Sequence, residues 1–262
     1  MDPTGARAIL TSRSARSAEP TLAPVTVIKI GGSVLVDGWA YQRAAGFVER
    51  FSSERPERRL VVVVSAQEGV TDALLTSARS LVAEPDTAVL DLLWSTGELQ
   101  SVALLTLALQ ARGIRAAATN VHQTGLLEPD TPSGHTVLRP LRLQMLLATG
   151  HVVVPGFLAR RPGDGVMSLG RGGSDLTAVL LAAGLGADSC VLVKDVAGYF
   201  STDPNVDPAA RHLPQISYAR ALEMADNGCA LVQGQALLAA SRHGVPLVVR
   251  SMESETRTVV AA

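Results

Sequence analysis

Lysine is almost missing from this chain. Of its 23 basic residues only Lys29 and Lys194 are lysines, so each is a candidate for a task that arginine does not perform. Charge of one sign is not in excess either: 24 acidic residues leave a formal net charge of -1. That excludes the broad basic face of a polyanion binder, and neither nucleic acid nor a membrane surface is an expected partner. Aromatic residues make up 3% of the chain against 47% hydrophobic residues, so the core must be aliphatic. The two cysteines, Cys190 and Cys229, lie far apart without metal-ligand spacing. They are expected to be core thiols, with a disulfide disfavoured and no protein-built metal site. No uncharged apolar span of about 18 residues is present, from which no membrane-crossing helix is expected. Residues 1–24 place Arg7, Arg13 and Arg16 among Ser, Thr, Ala and Pro but lack the apolar core of a secretory signal. They read as a disordered tail, and the chain is expected in the cytoplasm.

The length of 262 residues suits one large α/β domain or two small ones. The reading adopted is a single domain over residues 25–262. Val25–Ile30 is a β-branched strand ending at Gly31-Gly32-Ser33, an arrangement that brings backbone amides against a phosphate. Lys29 precedes that turn, either as a cation for a bound group or as a solvated edge residue. A helix is predicted over residues 39–54. Leu60–Val64 is a continuous apolar run, which favours a parallel strand covered on both faces. It delivers Ser65 and Thr71 to the sheet edge where open α/β folds place ligands. Thr71 or Asp72 suits equally the cap of the next helix. Residues 86–112 read as helical, with Glu98 open to three readings: surface charge, capping group, or anchor for a ligand ammonium.

Beyond it come a short turn and strand over residues 113–118, a loop holding His122 and His135, a helix near 138–149 and a strand from His151. Phe157 then lines a pocket or closes the core, and residues 160–165 form a hairpin-like connection. The stretch Leu169-Gly170-Arg171-Gly172-Gly173-Ser174-Asp175 opens an apolar helix running to Gly186. Its glycines admit close ligand approach, Ser174 or Asp175 suits the cap, and Arg171 offers a planar fork for a carboxylate or phosphate. Lys194, Asp195, Tyr199, Phe200 and Asp203 follow a strand from residue 188. Helices near 218–227 and 234–243 and a final strand at 246–251 complete a three-layer αβα sandwich with a mainly parallel central sheet.

The motifs Lys29-Ile30-Gly31-Gly32-Ser33, Val64-Ser65-Ala66, Gly69-Val70-Thr71-Asp72, Gly97-Glu98, Gly156-Phe157, Leu169 through Asp175, and Asp195-Val196-Ala197-Gly198 with Thr202-Asp203-Pro204 occur in one order. In that order the chain resembles the amino acid kinase family, most closely the aspartokinase catalytic domain, over roughly residues 25–251. The resemblance implies a kinase that uses ATP and Mg²⁺ to phosphorylate the side-chain carboxylate of an aspartate-like amino acid or related small acid. Lys29, Gly32 and Asp175 would be catalytic, with Ser65, Thr71, Glu98, Phe157, Arg171 and Ser174 holding the acid. Gly31, Gly32, Ser33, Lys194, Asp195, Tyr199, Phe200 and Asp203 would serve the nucleotide. A homodimer or higher homo-oligomer is also implied, for which the aliphatic helix at 99–111 is a candidate interface or simply core. The family's lysine before its penultimate helix is Ala230 here, and its Asp-Pro-Arg is Asp203-Pro204-Asn205. Lys194 is a candidate to restore the charge lost at Ala230. The family's C-terminal regulatory domains are not expected, since the chain stops soon after Arg250. The alternative is a nucleotide-binding storage, regulatory or partner subunit with little kinase activity.

Overall fold

The computed structural model describes residues 23–127, 137–161, 163–204 and 206–262. The tail of residues 1–22, His135 of the predicted loop, and Asn205 lie outside the described residues.

An eight-stranded sheet forms the middle layer. In chain order its strands are β1 (Val25–Ile30), β2 (Arg59–Val64), β3 (Ala116–Ala118), β6 (His151–Pro155), β9 (Cys190–Val193), β10 (Gln215–Ser217), β11 (Leu247–Arg250) and β12 (Arg257–Ala261). Their spatial order is β10-β12-β11-β9-β1-β2-β6-β3. Only β11 and β12 run antiparallel, so the sheet is mainly parallel as predicted. The four valines ending β2 are fully buried, as strands covered on both faces must be. A smaller sheet combines β4 (Leu126–Leu127), β5 (Val137–Leu138), β7 (Leu158–Arg160) and β8 (Val166–Ser168) in the order β5-β4-β7-β8. β7 and β8 pair as the hairpin expected near residues 160–165.

Alternation along β1 divides the core. Val25 and Val27 pack with apolar residues of α5 (Leu141–Leu147), α6 (Gly173–Leu185), α7 (Tyr218–Asp226) and α8 (Gly234–His243). Ile28 and Ile30 face the opposite layer, built by α1 (Gly38–Ser53) and α3 (Thr87–Ala111). Lys29 shares the face of Val25 and Val27, and its register opposite Val63 and Leu192 puts it at the C-terminal edge of the sheet beneath α6.

The remaining helices are α2 (Val70–Leu81), which packs on α3, and the short α4 (Val121–Thr124), which contains His122. Asn120 caps α4 through a reciprocal bond with Gln123, so the first part of the predicted loop is a helical turn. Four other expectations change. α3 is long and apolar enough to cross a membrane by length and composition, because Asp91 and Glu98 interrupt an otherwise apolar run without lowering its mean much. Half of its most apolar window is buried here against α1, α2 and the sheet. Cys229 is exposed rather than a core thiol, whereas Cys190 is buried and both are free. Strand β12 follows the strand read as final. Neither Thr71 nor Asp72 caps α2, and neither Ser174 nor Asp175 caps α6. Their N-cap positions are Gly69 and Gly172, at φ of 77° and 79°, a left-handed region that glycine enters without strain.

Ile28 is fully buried between β2 and β9. Ile28→Ala should therefore cost about 2–5 kcal/mol, through lost burial and a cavity that β-strand neighbours cannot fill. Urea denaturation should show a lower midpoint with an unchanged slope.

Candidate active site

A cleft of about 350 Å³ opens where the ends of β1, β2 and β6 meet the N-terminus of α6. Backbone approach builds it. A Cβ at Gly32 would lie 2.6 Å from the Ala66 carbonyl oxygen, so the turn after β1 can rest on the loop after β2 only with glycine there. A Cβ at Gly156 would lie 2.7 Å from Ser174 Cβ, which explains how the first turn of α6 reaches the sheet edge. The next residue, Phe157, has φ of 66°, a conformation rare for a bulky side chain and concentrated at functional sites. The Trp94 ring meets Phe157 edge-on at 5.9 Å and holds it at the cleft wall.

The floor is a triad of charges. Lys29 Nζ lies 2.8 Å from Asp175 Oδ1, and Lys194 Nζ donates to Asp175 Oδ2 at 2.8 Å. The Lys29 contact is an ion pair at hydrogen-bonding distance. Burial pushes the Asp175 carboxyl up, but the two ammoniums outweigh it and bring the pKa down to about 2. Burial lowers the Lys194 pKa, with Asp175 pulling the other way and Lys29 adding repulsion. The chain's only two lysines thus meet on one carboxylate, leaving one net positive charge at the floor.

Glu98 enters from the middle of α3 and is 3% exposed. Burial raises its pKa from the ordinary 4.5 to about 8, against a backbone hydrogen bond at Ala66 and the Lys29 charge, which both lower it. Among the described residues its Oε2 has no hydrogen-bond partner. Of the three readings left open for Glu98, surface charge and capping are excluded. On the rim, Arg171 is exposed between Gly170 and Gly172, both at positive φ, and has no ion-pair partner among the described residues.

Of the predicted residues, Lys29, Gly32, Ser33, Ser65, Thr71, Glu98, Phe157, Arg171, Ser174, Asp175 and Lys194 all line this cleft. Lys194 therefore belongs with Lys29 rather than with the loop that follows it. Tyr199, Phe200 and Asp203 line a second hollow of about 460 Å³, with Cys229 and Ala230. Gly31 and Asp195 line neither. Gln67, Glu68 and Gln233 also line the cleft, with no motif in the sequence to mark them as site residues. Gln233 immediately precedes α8, and a Cβ on Gly172 would overlap its side chain. Only the abrupt start of that helix at Gly234 could have drawn attention to it. Among the described residues no group of three or more His, Cys, Asp or Glu could hold a metal ion.

The model of the amino acid kinase family matches residues 24–251. An aspartokinase of Thermus thermophilus is 39% identical over 231 residues, which is 87% of this chain and 56% of that relative. The aspartate kinase structure from Synechocystis superposes with a TM-score of 0.81 at 35% identity, covering 91% of this chain and 40% of that one. E. coli aspartokinase III, solved with aspartate and ADP, gives 0.74 at 26% identity, covering 91% and 65%. The chain spans little more than half the length of the curated relative.

The raised pKa of Glu98 has a sign that can be tested. Between about pH 4.5 and 8 the unfolded chain has lost this proton and the folded chain has kept it. Stability from this group is therefore full below pH 4.5 and falls as pH rises to 8, by at most about 1.4 kcal/mol per pH unit. Glu98→Gln lacks the titration, so urea denaturation at several pH values should show the wild type losing ground to the variant across that window. Parallel curves would mean that Glu98 ionises normally.

Proposed function

This chain belongs to the amino acid kinase family, and on that premise we propose that it transfers the γ-phosphoryl group of ATP to the side-chain carboxylate of an aspartate-like amino acid or related small acid. The observation that carries this reading is the Lys29–Asp175–Lys194 triad under the glycine turns. A carboxylate oxygen of the acceptor attacks the γ-phosphorus. That O–P bond forms as the bond to the β,γ-bridging oxygen breaks, giving an acyl phosphate and ADP. No covalent enzyme intermediate is needed; the chain brings two anions together and steadies the charge that spreads over the transferring group. Lys29 and Lys194 supply that field, and Asp175 keeps both ammoniums aimed at one point. The lining of the second hollow by Phe200, Leu231 and Met224 suits the flat, apolar part of a nucleotide. Mg²⁺ fits as an ion carried in on the phosphates, where it would offset their charge, since Asp175 is already occupied by the lysines.

Arg171 takes the α-carboxylate of the acceptor and Glu98 its ammonium, the acceptor's positive charge favouring the ionised form of Glu98. Ser65, Thr71 and Ser174 leave room for a compact ligand, and Phe157 closes the side. A homo-oligomer fits this reading, with Leu99, Leu104 and Leu107 partly exposed on α3. One observation favours a nucleotide-binding subunit without turnover: Ala230, where the family carries a lysine, stands in the second hollow.

The deciding measurement is coupled ADP release across L-aspartate, N-acetyl-L-glutamate, carbamate, nucleoside monophosphates and dicarboxylates, with hydroxylamine trapping of acyl phosphate. Turnover with an α-amino dicarboxylic acid is expected; saturable ATP binding without acceptor-dependent ADP release would move the assignment to the partner subunit. Lys29→Met, which leaves Lys194 to neutralise Asp175, should keep the fold and lower turnover by roughly 10²–10³. Arg171→Lys should raise KM for the acid without a matching change for ATP, because an ammonium cannot reproduce bidentate pairing.

A further inference from the structure

Away from both hollows, α1 presents Trp39, Arg43, Gly46 and Arg50 at spacings of four, three and four residues, which places them on one stripe of the helix. The opposite face of α1 is buried in the core, through residues such as Tyr41, Ala44 and Val48, and Gly46 is itself buried beneath Arg112. The outer stripe borders a hollow of about 530 Å³, closed on its far side by Arg112, Met252 and Glu253. It shares no lining residue with the cleft or the second hollow.

Two features show that this hollow is built. The first is Gly46. A glycine inside a helix costs about 0.5–1 kcal/mol relative to alanine, so its presence calls for a packing reason. A Cβ there would sit 3.3 Å from Arg112 Nη2, so any side chain at this position would push the Arg112 guanidinium, which lies across the stripe, outward by a few tenths of an ångström. The second is the charge balance. Arg112 pairs with Glu49 at 2.6 Å, and Arg50 only touches the Met252 carbonyl at 3.4 Å. Arg43 has no ion-pair partner among the described residues, and exposed Glu253 is the one carboxylate in the lining. Three guanidiniums therefore face one concave space with less than their share of negative charge. Beside them Trp39 is 76% exposed, a large apolar ring left in water at the mouth of the hollow.

We propose that this hollow is a binding site for a small anion carrying a flat ring, of the nucleoside monophosphate class. Guanidinium forks match phosphate oxygens in pairs, and an exposed indole face stacks on a base whatever its identity. The volume lies within the range of small-molecule sites. Phosphate alone would leave Trp39 bare, and an uncharged nucleoside would leave the arginines unmatched, so affinity requires both halves of the ligand. The proposal stands apart from the kinase reading, since neither Lys29 nor the cleft takes part.

The chain has two tryptophans, so Trp94→Phe leaves Trp39 as its sole indole reporter. Titration of that variant with AMP should quench Trp39 saturably with a Kd below about 1 mM, and adenosine and inorganic phosphate should each bind at least about tenfold more weakly. Arg43→Ala/Arg50→Ala in the same background should weaken AMP by at least about tenfold. Isothermal titration of AMP into wild type and the double arginine variant, both with ATP saturating the second hollow, gives the same comparison without the Trp94 change. No saturable signal up to about 5 mM AMP, adenosine or phosphate binding as tightly as AMP, or an unaffected arginine variant would each overturn the site.

Discussion

Asp175 is the constraint on which the site turns. A carboxylate 2% exposed would be untenable alone, and it persists because an ammonium lies 2.8 Å from each of its oxygens. Those ammoniums come from adjacent parallel strands, Lys29 from β1 and Lys194 from just past β9, while Asp175 comes from the first turn of α6. The close approach of α6 to the sheet edge, opened by Gly156, is what brings the three together. Such a triad costs desolvation that an apolar trio of similar volume would avoid. What it yields is a fixed field: two cations with one counter-charge cannot relax away, so the surplus positive charge faces the cleft.

Much of this was legible in the chain, and the reasons differ by residue. β2 was plain because Val61–Val64 leaves no polar face, and Lys29 because so few lysines compete for attention. The glycine turns were visible as composition, but their purpose was not. That Gly32 lies against the Ala66 carbonyl and Gly156 against Ser174 depends on contacts between distant segments. The helix caps depart from local preference for a related reason. Ser174 and Asp175 are good capping residues by local chemistry, yet the lysines claim Asp175 from across the sheet and the helix begins from Gly172 instead. Tertiary charge pairing overrode a local preference.

Glu98 shows a sharper limit. In the sequence it is one glutamate in an apolar helix, and surface charge was a reasonable reading. Its burial follows from α3 lying between α1 and α2, with Gly97 allowing contact so close that a Cβ would come within 2.9 Å of Val70 Cγ1. The same packing explains how a helix with a membrane-like composition is accommodated: its apolar sides meet helix and sheet, and its two acids turn inward. Lys194 was assigned to the nucleotide loop by position in the chain, but a side chain at a strand end can reach either side, and here Asp175 decides.

The division of labour between arginine and lysine follows from their shapes. Everywhere except two positions this chain uses arginine for positive charge, including the exposed Arg171 and the three guanidiniums around the α1 hollow. A guanidinium is planar, weakly hydrated and suited to paired contacts at an open surface. Two of them on one buried carboxylate would spread their charge over broad planes and direct most of their donors in the plane of each fork. An ammonium is compact, contacts one oxygen and keeps its remaining donors free. Both lysines of the chain stand at Asp175, where the floor of the cleft uses point charges.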